Sequence, residues 1–175
     1  MIRKVQLIDY FEIVPSKQID KMNTVEADVN DIDAVPFLSR SDRNNGMSGY
    51  VEPMEGKLNA GGCISVALDG STGATFYQHH SFMSGQNIWL LKPYLARFGC
   101  FDPFIALYCV ASIRKAVKHY TYNLSLTKAR LKNISIFLPV GENDVVDTAY
   151  IQSEMRKVRH ADLIETIPTE RYQIK

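Results

Sequence analysis

The sequence predicts an α+β fold: a β-rich curved sheet or partial barrel with packed helices and a short C-terminal helix. Two observations predict it. Up to about residue 93, runs of β-branched and aromatic residues are separated by Gly, Ser and Asn-Gly punctuation. After residue 100 the apolar period lengthens to that of a helix. The chain has 175 residues, of which 46% are apolar, enough for one domain with a sizeable core.

The elements follow in order. Residues 5 to 14 (VQLIDYFEIV) read as a short helix running into a strand. Residues 15 to 34 are polar and acidic, with Asp28, Asp31 and Asp33 close together, and read as a surface loop. Val35 to Ser39 is a buried strand, with its Pro near the start where the missing N–H is tolerated. Asn45-Gly46 is a turn between two strands, because both residues accept positive φ. A Gly-rich connection leads to strands in CISVALDG, STGATFYQ and FMSGQNIWLLKP.

Asp102 followed by Pro103 marks a helix N-terminus. Ala106, Cys109, Val110, Ile113, Val117 and Tyr120 then recur at helical spacing, giving about five turns with one apolar face. A linker, YTYNLSLTKARLKN, leads to a return strand from Ile134 to Val140. A turn follows from Gly141 to Asp147, and residues 148 to 166 read as a polar amphipathic helix.

Several function classes find no support. No run of about 18 apolar residues spans a membrane, and MIRKVQLIDYFEI meets acidic residues too early for a signal peptide. Cys63, Cys100 and Cys109 are odd in number and widely spaced, which argues against a disulfide framework and for a reducing cytosol. Walker and dinucleotide glycine patterns are absent. GGCISVALDGSTG opens no helix, so its glycines read as sheet curvature and tight turns. Ser48-Gly49 and Ser84-Gly85 do not stand in GxSxG. His79 and His80 are adjacent and, in a strand, would point to opposite faces, which disfavours a shared metal. Asp42 with Glu55 and Lys57 forms a weak Mg²⁺-nuclease pattern, whose plainer reading is a solvated turn.

Charge placement is more informative than the net charge of +1. From Ala111 to Ile134 there are six cations and no Asp or Glu: Arg114, Lys115, Lys118, Lys128, Arg130 and Lys132. Tyr120, Tyr122, Asn123, Ser125 and Thr127 interleave neutral hydrogen-bonding groups, a pattern suited to a phosphate backbone. The plainer alternative is a solvated helix face and a basic loop. The loop from Arg40 to Asn45 adds arginines suited to guanine edges and asparagines suited to adenine edges, or else serves only as turn geometry. Trp89, Phe76, Tyr77 and Phe82 read as packing residues.

Three stretches together, VPFLSRSDRNNGMSGYVE, GGCISVALDGSTGATFYQHHSFMSGQNIWLL and LKNISIFLPV, resemble a target recognition domain of the specificity subunits of Type I restriction–modification systems. They are also similar to the specificity module of related Type II enzymes. The resemblance covers roughly residues 1 to 145, leaving 146–175 as a helical segment for spacing or partner contact. It implies recognition of double-stranded DNA, no catalysis and no cofactor in this chain. Its implied partners are an adenine methyltransferase subunit that carries S-adenosylmethionine and, in some systems, a restriction subunit. Arg40, Arg43, Asn44, Asn45, Ser71, Thr72, Gln78, His79 and Gln86 are the candidates for base edges or nearby phosphates. Lys115, Lys118, Lys128, Arg130 and Lys132 are the candidates for phosphates. A full subunit carries two recognition domains, so the expectation here is a half-subunit or single-domain module. As a homodimer it would read a symmetric split site.

Overall fold

A computed structural model of the chain describes residues 1–121 and 124–166. Tyr122, Asn123 and the end of the expected C-terminal segment lie outside the described residues. Three antiparallel-dominated sheets and five helices make up the α+β body, with no closed barrel among the described residues.

Strand β1 (Ile2–Gln6) pairs antiparallel with β10 (Ser135–Pro139) in a two-stranded ribbon. Strands β2 (Phe11–Pro15), β6 (Cys63–Ala67), β7 (Thr75–Gln78) and β9 (Ile88–Pro93) form a sheet in the order β2-β9-β6-β7. Strands β3 (Glu26–Ala27), β4 (Val35–Leu38), β5 (Met47–Val51) and β8 (Met83–Ser84) form a second sheet in the order β3-β5-β4-β8, whose β4–β8 pair is parallel.

Helix α2 (Pro103–Val117) lies against one face of the first sheet and also touches β10 and α4 (Thr148–Met155). Asp102 caps it, its side chain accepting from the Ile105 N–H at 2.9 Å. Ala106, Cys109, Val110, Ile113 and Val117 are buried, so the helical period read in the sequence is the face turned to the sheet. They pack with Ile64, Val66, Leu91, Ile136 and Leu138 in the main core. Cys63, Ile88 and Leu90 face the other way, onto Leu38 and Phe82 of the second sheet's region. With apolar layers on both faces, β6 is buried at every residue and shows no alternation of burial.

Four local readings are corrected. Residues 5 to 14 form no α-helix: Leu7–Asp9 is a single 3₁₀ turn between β1 and β2. The segment's strand partners lie far along the chain, at Ser135–Pro139 and Trp89–Pro93, and this pairing overrides local propensity. Helix α2 ends at Val117, so Tyr120 packs on the core from beyond it. The linker contains a further helix, α3 (Lys128–Lys132), capped by the Thr127 hydroxyl and anchored by buried Leu131. The C-terminal amphipathic stretch is two pieces, α4 and α5 (Ala161–Glu165). Each is held by one buried residue, Ile151 or Ala161, with a left-handed His160 (φ 64°) between them. A short α1 (Leu95–Phe98) buries Phe98 against Phe11 and Phe101.

Candidate nucleic-acid interface

Strand direction decides which loops meet. Pro15 pairs with Trp89, Ala67 with Ile88, and Val66 with Thr75. The C-terminal ends of β2 and β6 therefore lie beside the starts of β7 and β9. In the second sheet the parallel pair β4–β8 sends Leu38 and Ser84 in the same direction. Backbone hydrogen bonds join the two sets: Gly85 N–H to Leu38 O (2.9 Å), Ile19 N–H to Ser84 O (3.0 Å) and Ser16 N–H to Ile88 O (3.0 Å). The loops after β2, β4, β6 and β8 consequently gather at one end of the molecule.

At this end three loops are stitched together. Ser71 N–H donates to Arg40 O and Leu68 N–H to Asn87 O, each at 3.0 Å. Asp69 accepts from Arg40 Nη1 at 2.9 Å and from Asn87 Nδ2 at 2.8 Å. Gly70 lies so close to Arg40 that a Cβ there would sit 2.9 Å from the arginine Cβ, and its φ of +66° is in the left-handed region that favours glycine. Two grooves flank this cluster. One is lined by Asp20, Lys21, Ser39, Arg40, Gly85 and Gln86. The other is lined by Asp42, Ser71, Thr72, Gly73, Arg114 and Lys118.

Helices bring cations to the same end. Val117 covers Gly73, where a Cβ would lie 2.9 Å from the valine Cγ2, so the C-terminus of α2 sits over the β6–β7 loop. Lys115 and Lys118 are exposed there, where cations also suit the negative end of the helix dipole. Lys128, in the first turn of α3, stands 5.0 Å from the Trp89 ring centre, beside the start of β9. Arg130 is exposed and donates to Ser125 O at 2.6 Å, while Lys132 is half-buried.

Not every expected residue joins this end. The β4–β5 loop runs on along β7, the edge strand of its sheet. Asn44, Asn45 and Gly46 all take positive φ (49°, 54° and 78°), as the Asn-Gly turn predicted. Asn45 Nδ2 donates to Tyr77 O and Gln78 Oε1, both at 3.2 Å. Gln78 is only 4% exposed and donates back to Asn45 O and to Ser65 Oγ. Gln78 is thus removed from the surface and fastens the loop to β7. Asn44, Asn45, Gln78 and His79 line a separate, largely apolar groove with Leu38, Met47, Tyr77 and Leu107. Arg43 is exposed on the loop between the two regions.

The histidine pair also differs from expectation. β7 ends at Gln78, so His79 and His80 follow the strand, and their rings lie 4.5 Å apart instead of on opposite faces. Burial pushes the Tyr77 hydroxyl up to about 12, so it stays protonated where it meets His79 Nδ1 at 3.2 Å. Among the described residues no group of three His, Cys, Asp or Glu side chains is placed to hold a metal ion. The Asp42, Glu55 and Lys57 pattern is not assembled. Asp42 is engaged by Arg114 at 2.9 Å, Lys57 donates to Gln18 O at 3.1 Å, and Glu55 stands in an exposed turn.

Sequence reasoning missed Asp69 and Asn87. The only signal was their position in Gly-flanked turns, since their contacts come from loops distant along the chain. Arg114 is one of the six cations of the acid-free stretch and is not among the phosphate candidates; its Nε donates to Thr75 O at 2.8 Å and its guanidinium covers the Phe76 ring at 4.6 Å. Phe82 is fully buried and Tyr77 nearly so, as packing residues; Phe76 and Trp89 are half-buried beneath a cation each.

The fold is that of part of the S subunits of Type I restriction–modification systems. Three solved structures share it: the Type I S subunit of M. genitalium (TM-score 0.59, 16% identity), the corresponding subunit of Thermoanaerobacter tengcongensis (0.56, 16%), and a chain from a Type I restriction–modification assembly (0.58, 18%). Each match covers 94% of this chain and 39%, 37% and 40% of the other. Residues 2–168 match the model of the Type I restriction modification DNA specificity domain, and the chain belongs to that family. It is also 25% identical over 150 residues to the specificity subunit of the BcgI Type II restriction enzyme of Heyndrickxia coagulans, covering 86% of this chain and 41% of that subunit. The chain thus spans about two fifths of the length of these relatives.

Proposed function

We propose that this chain reads a double-stranded DNA sequence and directs a partner adenine methyltransferase to it, performing no bond-making step itself. The observation that carries this reading is the match of residues 2–168 to a DNA specificity domain. The gathering of Arg40, Ser71, Thr72, Gln86, Lys118 and Lys128 at one loop-bearing end supports it.

The work divides into two layers. Lys115, Lys118, Lys128, Arg130 and Lys132 hold phosphates and set register, through a charge term that is independent of sequence. Arg40, Gln86, Ser71 and Thr72 reach base edges, with Arg43 and Asn44 beside them. Asn45 and Gln78 act from behind, by fixing the loop that presents Arg40 and Arg43. His79 borders the second groove.

S-adenosylmethionine belongs to the partner, and in systems that also cut, a restriction subunit joins. The body up to residue 145 is the recognition domain, and the segment after it supplies spacing or partner contact. A split target is then read by two such domains, from a second copy or another half. The setting is the cytosol. Among the described residues no helix is long and apolar enough to cross a membrane.

The test is enrichment from a randomised duplex pool, by the chain alone and with its methyltransferase, compared with the methylome of the host with and without this gene. One shared motif supports the reading. Absence of any enriched motif together with an unchanged methylome sinks it, and Mg²⁺-dependent cutting by the purified chain would favour a nuclease.

A further inference from the structure

Asp69 stands at odds with its surroundings. A carboxylate at the tip of a loop that faces DNA is repelled by phosphate, yet Asp69 lies at the centre of the loop cluster with its side chain 47% exposed. Its two oxygens are divided between two partners from two other loops. Oδ1 holds Arg40 Nη1 at 2.9 Å and Oδ2 holds Asn87 Nδ2 at 2.8 Å. The backbone repeats the same connections, since Ser71 N–H meets Arg40 O, and Leu68 N–H meets Asn87 O. Asn87 is also held in the left-handed region (φ 59°), and its own N–H meets Gln18 Oε1 at 3.4 Å.

These bonds leave a defined set of groups for a ligand. Arg40 keeps donors on Nη2 and Nε, enough for the two acceptors, O6 and N7, of a guanine. Asn87 gives one Nδ2 hydrogen to Asp69 and keeps the other, together with Oδ1. That is the donor–acceptor pair that matches N7 and N6 of an adenine. Holding Nδ2 against a carboxylate also settles which end of the amide is the donor.

We propose that Asp69 is a positioning residue that sets Arg40 and Asn87 as a paired reader of neighbouring base pairs, guanine for Arg40 and adenine for Asn87. This rests on the DNA-reading function proposed above and deepens it. Asp69 touches no base. It contributes discrimination by presenting both side chains in one orientation before DNA arrives, while its charge opposes non-specific binding.

The experiment is enrichment from a randomised duplex pool by the wild-type chain and by Asp69→Asn. Competition with single-base variants of the wild-type motif and an unfolding curve of each protein complete it. The expected result is a fall of about tenfold in preference at two neighbouring positions, one guanine and one adenine, corresponding to one bidentate contact each. Other positions keep their preference, and binding to unrelated duplexes is unchanged or tighter because a negative charge is gone. If Asp69→Asn keeps the wild-type motif at full preference, or weakens all duplexes alike, the proposal is overturned while DNA reading stands. If the wild-type chain enriches no motif, DNA reading falls and this proposal with it. Should Asp69→Asn fail to fold, Arg40→Lys decides. It keeps the charge and loses the planar fork, so guanine preference at one position should vanish while the neighbouring adenine persists; an unchanged guanine overturns the pairing.

Discussion

Arg114 on α2 and Asp42 on the β4–β5 loop form an ion pair of 2.9 Å, and the same guanidinium donates to Thr75 O at 2.8 Å. Thr75 opens the edge strand β7, whose outward carbonyls would otherwise be open to another chain. Arg114 closes one of them and Asn45 closes another, at Tyr77. A helix, a loop and a sheet edge are thereby fixed to one another, and the loop that carries Arg40 and Arg43 is placed by protein contacts before any ligand arrives.

Arg114→Ala should cost about 1–3 kcal/mol of stability, because a hydrogen bond and a cation–π contact are lost and a strand carbonyl is exposed. Asp42→Asn should cost less, under about 1 kcal/mol, since the pair is partly solvated. Urea unfolding of the two variants checks the order. A larger loss for Asp42→Asn would mean that the loop, not the strand edge, depends most on this contact.

Lys118→Gln and Lys128→Gln should weaken binding to every duplex alike. Each should also lower the slope of log affinity against log salt by about one. Titrations at several salt concentrations, on enriched and unrelated duplexes, measure both. Loss confined to the enriched duplex would move that lysine from phosphate to base contact.

Gly61→Ala should be severely destabilising, by about 3 kcal/mol or more, because the added Cβ would sit 2.3 Å from the His79 carbonyl oxygen. Gly56→Ala is the contrast: its φ is positive (+73°), but nothing lies within 4 Å of the added atom, so only backbone strain acts there and its cost should stay near about 1 kcal/mol. Thermal unfolding separates the two, and equal losses would mean that the backbone around His79 gives way at little cost.

The three cysteines should differ in reactivity. In the folded chain at pH 8 a thiol reagent should label Cys100, which is exposed, and spare Cys63 and Cys109, which are buried, until denaturant is added. Burial pushes the Cys63 thiol up from 9.0 to about 12 and raises Cys109 further in the same direction. Above pH 9 the unfolded chain releases protons that the folded chain retains, so stability falls as pH rises through this range. Unfolding midpoints between pH 8 and pH 11 test the sign. A flat profile would mean that neither thiol is protected as burial requires.

Much of the architecture was legible along the chain. The Asp102-Pro103 cap and the apolar period of α2 are local signals, as are the Asn-Gly turn and the short β-branched runs. Local backbone and capping energies suffice to select those elements. Residues 5 to 14 were misread because their partners are distant strands, and α3 was missed because a single buried leucine shows no period. The candidate surface was legible only in part. Lysines on α2 and α3 stand out by composition, and Arg40 by its loop. Gln78 and Asn45 look like surface polar residues in sequence but bond to each other, and nothing nearby in the chain announces it.

The sequence by itself therefore determined the kind of elements, the DNA-specificity family and the residue types available to meet DNA, because these rest on local patterns. Only the tertiary structure decided which of those residues share a face. Strand direction carries four loops to one end, the edge of β7 draws the β4–β5 loop along it, and Asp69 ties Arg40 to Asn87. Each is a contact between segments remote in the chain, and its energy comes from the partner, which no local window contains.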